Sequence, residues 1–292
     1  MNKLELKQVS FVYSKGTPFE RRALDGVSVA FEAGKITGLI GHTGSGKSTL
    51  VNLLNGLNRP TEGQVLLDGE DIWQNPKAIA AIRSRVGLVM QYPEYQLFDD
   101  TVRSDIGFAP RNMGLSEEEI AERVAEAARF TGIDEQMLER SPFDLSGGQK
   151  RRVALAGVIA MRPEVLVLDE PAAGLDPRGR DFIFEGIRNY QRVSGNTVLI
   201  VSHSMEDMAR YCDRMIVMAD GKVQAEGSVE EVFAYVNQLA SVGLDIPQIT
   251  RLVGMLKTHG LDLPDHIYTV DAAVEAIREL YLAKSKKQGG AV

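Results

Sequence analysis

Cysteine occurs once in this chain, at Cys212, so neither an intrachain disulfide nor an all-cysteine zinc cage can form, and a reducing cytosol is the expected setting. Long apolar runs are missing too. The longest, Val153 to Met161, is about half of what a membrane-spanning helix needs, and the start MNKLELKQ lacks a signal-peptide apolar region. Positive charge is in deficit, with 33 Lys and Arg against 40 Asp and Glu, so the molecule lacks the broad positive field of a nonspecific nucleic-acid binder. No nucleic-acid partner is expected. What remains is ordinary core material: 44% hydrophobic residues over 292 positions exclude a disordered chain and allow a main domain with an appendage.

The patterning gives an α/β reading. Leu4 to Phe31 alternates polar and apolar residues around a polar loop containing GTPFERR, as antiparallel strands do. Ile36 to Gly41 is a short buried strand ending in a glycine-rich turn, and Lys47 to Leu57 has helical spacing through Leu50, Leu53, Leu54 and Leu57. Gln64 to Leu67 and Val86 to Met90 read as strands. Pro93 to Arg140 carries helix signals, among them Ser116 followed by Glu117, Glu118 and Glu119, a hydroxyl cap with early carboxylates. Further on, VLVLD and TVLIVS are buried strands, Pro177 to Val193 and Met205 to Tyr211 are helices, and RMIVMADGKVQAEG is a hairpin turning at Asp220-Gly221. Strands alternating with helices imply a mixed sheet with a parallel core. After Ser228 come short helices separated by GLDIP (243–247) and GLDLP (260–264), with apolar stripes at Ile249, Leu252, Val253 and Leu256 and at Val274, Ile277 and Tyr281. Such a tail should pack on the main body or on a partner, and KSKKQGGAV should be a frayed end.

Three segments carry chemistry. The string Gly41, His42, Thr43, Gly44, Ser45, Gly46, Lys47, Ser48, Thr49 fits a phosphate-binding loop between a strand and a helix. Its glycines let backbone amides turn inward, Lys47 reaches the terminal phosphates and Ser48 offers a hydroxyl to Mg²⁺. VLVLDEP ends a buried strand in Asp169 and Glu170, adjacent carboxylates that need a cation nearby. Asp169 is expected to bind Mg²⁺ and Glu170 to polarise an attacking water. Taken alone, such a pair is as well explained as a helix cap. LSGGQ (Leu145, Ser146, Gly147, Gly148, Gln149) opens a further helix with small residues, a second anion site or simply a serine cap. Two phosphate-binding helix starts exceed what one terminal phosphate can use.

In this order and spacing, GHTGSGKST, LSGGQ and VLVLDEP resemble the nucleotide-binding domain of ABC transporter ATPases, over about residues 2–228. The resemblance implies an α/β fold with a mixed sheet, an antiparallel β subdomain, a helical subdomain over about 92–160, and a C-terminal helical extension over 229–292 that pairs subunits. It further implies that Tyr13 stacks on adenine, Gln91 senses Mg²⁺ and the transmembrane partner, Asp176 in AGLD belongs to a dimer-communication loop, and His203 is the switch histidine. Singly these are weak: Tyr13 could be a packed strand aromatic, Gln91 a surface amide, His203 a capping residue. On this reading the catalytic set is Lys47, Gln91, Glu170 and His203, Mg²⁺ is held by Ser48, Gln91 and Asp169, and ATP is shared between two subunits, with Ser146 capping the partner's nucleotide.

YPEYQLFDDTV after Gln91, the early GTPFERRALDGVS and the GLDIP and GLDLP tail resemble more narrowly the ATPases of energy-coupling factor transporters, most of all the A-prime subunit. This implies a heterodimer with a second ATPase, a membrane T component and a substrate-binding S component, located peripherally on the cytoplasmic face of the membrane and driving uptake of vitamins or metal ions. Tyr92, Glu94 and Tyr95 would be contacts to the membrane subunits, or else an exposed neutral loop. A conventional ABC importer ATPase shares the core motifs. A P-loop GTPase would need N-K-x-D, and Asn2-Lys3-Leu4-Glu5 is misplaced and ends in the wrong acid. Soluble ABC proteins normally carry a long coiled-coil insertion or a second nucleotide-binding domain, and neither is expected to fit in 292 residues.

Overall fold

The computed structural model describes residues 1–239, 247–264 and 266–289. Alternation of buried and exposed side chains makes β1 (Asn2–Tyr13) and β2 (Arg21–Glu32) an antiparallel pair, extended by β4 (Glu62–Leu67) and β5 (Glu70–Asp71) into a sheet ordered β2-β1-β4-β5. Continuous apolar runs take the other role. Every residue of β3 (Ile36–Gly41) and of β8 (Thr197–Val201) is buried, as is β7 (Val165–Asp169) up to its last residue. With β6 (Val86–Val89), β9 (Arg214–Ala219) and β10 (Lys222–Ser228) they form a six-stranded sheet ordered β10-β9-β3-β8-β7-β6, parallel except for β10. The hairpin joining β9 to β10 turns at Asp220 and Gly221, both at positive φ as a two-residue turn requires.

The helix α1 (Lys47–Leu54) lies between the sheets, where Leu50, Leu53 and Leu54 join Leu4, Leu6, Leu39 and Val167 in one apolar cluster. It is one turn shorter than its spacing predicts. Gly56 turns the chain at φ 69°, and Leu57 is left exposed. At the far edge Lys3, Arg85, Asp68 and Glu164 form an ion network that joins the two sheets; its contact to Arg85 holds the Glu164 carboxyl down at about 2.

Helices pack on the other face of the parallel sheet: α3 (Val102–Asn112), α4 (Glu117–Thr131), the single-turn α5 (Glu135–Leu138), α6 (Gly147–Ile159), α7 (Pro177–Ser194) and α8 (Met205–Tyr211). Ser116 and Glu119 form a reciprocal cap at α4, as the sequence predicts. The short α2 (Ile79–Arg85) precedes β6. Among the described residues no helix is long and apolar enough to cross a membrane.

The tail contains α9 (Val229–Leu239), α10 (Gln248–Thr258) and α11 (Val270–Gly289). It joins the body through Val229, Val232, Phe233 and Tyr268, which belong to the core cluster on the helical face of the parallel sheet, Phe233 stacking on Tyr268 at 4.6 Å, and it keeps a small core of Val253, Leu263, Ile267 and Ala273. The expected stripes do not both turn inward: Val253 is buried, whereas Leu252, Val274, Ile277 and Tyr281 are exposed. The lysine-rich end, expected to fray, continues the backbone of α11 to Gly289, and residues 290–292 lie outside the described residues. Of GLDIP, all but the proline is likewise outside them.

Candidate active site

The phosphate-loop string closes a gap that only glycine can fill. A Cβ on Gly41 would lie 2.3 Å from the Met218 carbonyl, and one on Gly46 2.8 Å from that of Ala23. Gly46 caps α1 at φ 104°, a left-handed conformation, and no side chain caps this helix. The first-turn amides of α1 are therefore left over as donors at the positive end of the helix dipole. Lys47, 7% exposed, folds back so that Nζ donates to the carbonyls of Gly41 at 2.6 Å and His42 at 3.0 Å. Burial lowers its pKa; Glu170 and Asp169 oppose the shift.

Facing the loop is a cleft of about 640 Å³ lined by Tyr13, Thr43, Gly44, Gly46, Lys47, Ser48, Thr49, Gln91, Asp169, Glu170 and His203. The sequence-predicted set thus largely converges, although from β1, the loop before α1, the first turn of α1, and the ends of β6, β7 and β8. Three loop members do not line it. Gly41 is wedged below, Ser45 is fully buried, and His42 holds its Nδ1 2.8 Å from the Thr43 carbonyl. Tyr13 stands edge-on to Phe11, and its hydroxyl lies 3.1 Å from Thr49 Oγ1.

The electrostatics centre on the carboxylates at the end of β7. Burial raises the Asp169 pKa against the pull of Lys47. Glu170 sits at φ 53°, unusual for a non-glycine residue, and its amide donates to the Val201 carbonyl at 2.9 Å. Burial, then the Asp169 charge, push its carboxyl up to about 7, against Lys47. His203 Nε2 is 3.3 Å from Glu170 Oε1 but out of hydrogen-bond alignment, so that buried oxygen has no hydrogen-bond partner among the described residues. Burial and Lys47 lower the imidazole pKa, which favours the neutral ring. Ser48, Asp169 and Gln91 present oxygens to one space, a donor set that suits Mg²⁺. No cluster of three His, Cys, Asp or Glu able to hold a metal by itself occurs among the described residues.

The signature residues stand elsewhere. Leu145 is buried and Ser146 caps α6 through a reciprocal pair with Gln149, but none of the five lines the cleft. Ser146 and Gly147 are exposed, and a Cβ on Gly147 would meet nothing within 4 Å. Asp176 also stays out of the cleft, capping α7 by accepting from the Gly179 amide at 2.7 Å.

Sequence reasoning missed Arg21, Arg22, Ala23, Asp220 and Gly221, which line the same cleft. The alternation of β1 and β2 contained that signal, because pairing places Arg21 opposite Tyr13. Of the three residues expected either to contact membrane subunits or to form an exposed neutral loop, Tyr92 and Tyr95 are exposed, whereas the Glu94 side chain is 15% exposed and bound to Arg151.

The model of the ABC transporter family matches residues 24–173. The energy-coupling factor transporter ATP-binding protein EcfA2 of Clostridium acetobutylicum is 48% identical over 283 residues, 96% of this chain and 99% of that protein. EcfA2 of Symbiobacterium thermophilum is 50% identical, covering 92% of this chain and 93% of that protein. Among solved structures, cbiO1 from Clostridium perfringens, part of the ABC transporter complex cbiONQ, superposes with TM-score 0.75 at 38% identity, over 87% of this chain and all of that one. The dimeric post-hydrolysis state of the ATP-binding cassette MJ0796, bound to ADP and Pi, gives TM-score 0.69 at 29% identity, over 77% of this chain and 98% of that one.

Proposed function

This chain belongs to the ABC transporter ATPase family, and we propose that it is an ATPase subunit of an energy-coupling factor importer, working as half of a two-site pair. The observation that carries the paired reading is the separation within one chain: Lys47, Ser48, Asp169, Glu170 and His203 share a cleft, while the exposed, uncrowded start of α6 lies outside it. Each chain would supply the cleft for one nucleotide and the Ser146 helix start for its partner's.

Loop amides and Lys47 bind the β- and γ-phosphates. Ser48, Asp169 and Gln91 would hold Mg²⁺, whose charge offsets that of the phosphoryl oxygens. Glu170 accepts a proton from the attacking water and orients it, while His203 and Lys47 sit where the departing phosphoryl charge grows. Because γ-phosphate would be gripped by both chains, ATP favours the closed pair and its loss releases it. Tyr13 provides a stacking face at the cleft mouth.

EcfA2 relatives are named as energy-coupling factor components and cbiO1 as part of a complex, which supports a second ATPase and membrane T and S components as partners, with this chain peripheral on the cytoplasmic face. The exposed stripe of Val274, Ile277 and Tyr281 on α11 suits the subunit-pairing role of the tail. The test is Glu170→Gln: ATP binding persists, turnover falls by more than about a hundredfold, and closed pairs accumulate with ATP. Full turnover would remove Glu170 from its role.

A further inference from the structure

Arg21 and Tyr13 face each other across the β1–β2 ladder, and directly opposed residues of an antiparallel pair project to the same side. Both reach over the phosphate loop. The Tyr13 hydroxyl meets Thr49 in the first turn of α1, and a Cβ on Gly44 would lie 3.6 Å from Arg21 Nη2. Together they bracket the loop from Gly44 to Thr49, of which all but the buried Ser45 line the cleft.

The neighbouring cations are engaged. Lys47 is bonded to two loop carbonyls, and Arg22 is paired with Asp25 at 2.8 Å. Arg21 lines the cleft, is exposed, and its guanidinium makes no hydrogen bond or ion pair with any described residue. A nucleoside triphosphate carries more negative charge than one Mg²⁺ and one lysine offset, and a guanidinium fork suits phosphate oxygens.

Resting on the nucleotide reading of this cleft, we infer that Arg21 is a nucleotide-binding residue that grips the inner phosphates from the side opposite Lys47. It closes the polyphosphate chain between the antiparallel sheet and the loop, while Tyr13 beside it takes the base. Because inner phosphates are common to ATP and ADP, Arg21 holds both nucleotides alike, unlike a group that reads the γ-phosphate.

Fluorescence titration of the full chain with N-methylanthraniloyl forms of ATP, ADP and adenosine tests this. Arg21→Ala should weaken ATP and ADP by roughly ten-fold each and leave adenosine unchanged, and the salt dependence of ATP binding should become shallower. Arg21→Lys should recover part of the loss. Unchanged ATP affinity, or an equal loss for adenosine, overturns the inference. Lys47→Ala is the reference: if it weakens ATP while Arg21→Ala does not, only the role of Arg21 falls. If neither variant matters, the nucleotide reading of the cleft falls too.

Discussion

Arg151 and Glu94 form a two-armed ion pair inside the protein, Nε to Oε2 at 3.1 Å and Nη2 to Oε1 at 2.7 Å, with side chains only 5% and 15% exposed. The third arm of Arg151, Nη1, donates to the Ala173 carbonyl. One side chain on α6 thus ties together the turn after Gln91, the signature helix and the turn between Glu170 and Asp176. Movement at any of these would be felt at the other two.

Arg151→Ala should cost about 3–5 kcal/mol, because it strands the Glu94 carboxylate and a carbonyl in a buried setting. Arg151→Met combined with Glu94→Leu should recover most of that loss, since no charge is then left unpaired. Urea unfolding midpoints check both. A loss below about 1 kcal/mol in the single variant would reduce the pair to a surface contact.

Glu170 makes stability depend on pH. Its carboxyl, at 4.5 when free, is pushed up to about 7 in the fold, so between these values the native state binds the extra proton. That contribution is complete below pH 4.5 and is lost as pH rises through about 7, on the order of 3 kcal/mol. In the nucleotide-free protein Glu170→Gln should therefore be nearly neutral at pH 5 and stabilising at pH 8. Thermal melts at both values decide, and equal shifts at the two would show that burial does not perturb this group.

Gly46 and Gly44 separate strain from clash. Both have positive φ, but a Cβ on Gly46 meets Ala23 O and Leu24 Cδ2 at 2.8 Å, while one on Gly44 finds only Arg21 Nη2, at 3.6 Å. Gly44→Ala should cost about 1–2 kcal/mol of backbone strain. Gly46→Ala should cost clearly more and abolish ATP binding. Chemical denaturation with nucleotide titration checks the order, and equal costs would mean that the loop shifts to make room.

At Gly147 the expectation is opposite. Nothing crowds it, so Gly147→Ala should change stability by less than about 1 kcal/mol and leave this chain's ATP affinity intact. Turnover at the partner's nucleotide should nevertheless fall, because a methyl group then stands where phosphate approaches. Normal turnover by the assembled pair would place Gly147 outside the shared site.

Local signals in the sequence were dependable where the physics is local. The runs at β3, β7 and β8 are apolar without alternation because both sheet faces are covered, and the Ser116–Glu119 and Ser146–Gln149 caps are three-residue affairs. The cleft was half legible, since the loop and VLVLDEP carry their chemistry in contiguous strings. Arg21 was not, because it reaches the loop only through pairing with Tyr13, across a ladder with register shifts at Phe11 and Val12. Nor was Glu94, whose partner lies 57 residues away and reads as one more basic residue in KRR. In the tail, periodicity showed the stripe of Val274, Ile277 and Tyr281 but not that this face is left open.

Division of each reaction centre between two chains is tested most directly by the ATP hydrolysis rate per molecule, followed from dilute isolated chain to the assembled pair. Near silence is expected in the isolated chain and a steep rise as pairs form, lost with Ser146→Arg in the chain that faces the nucleotide. A rate per molecule that stays constant across that range would contradict that division.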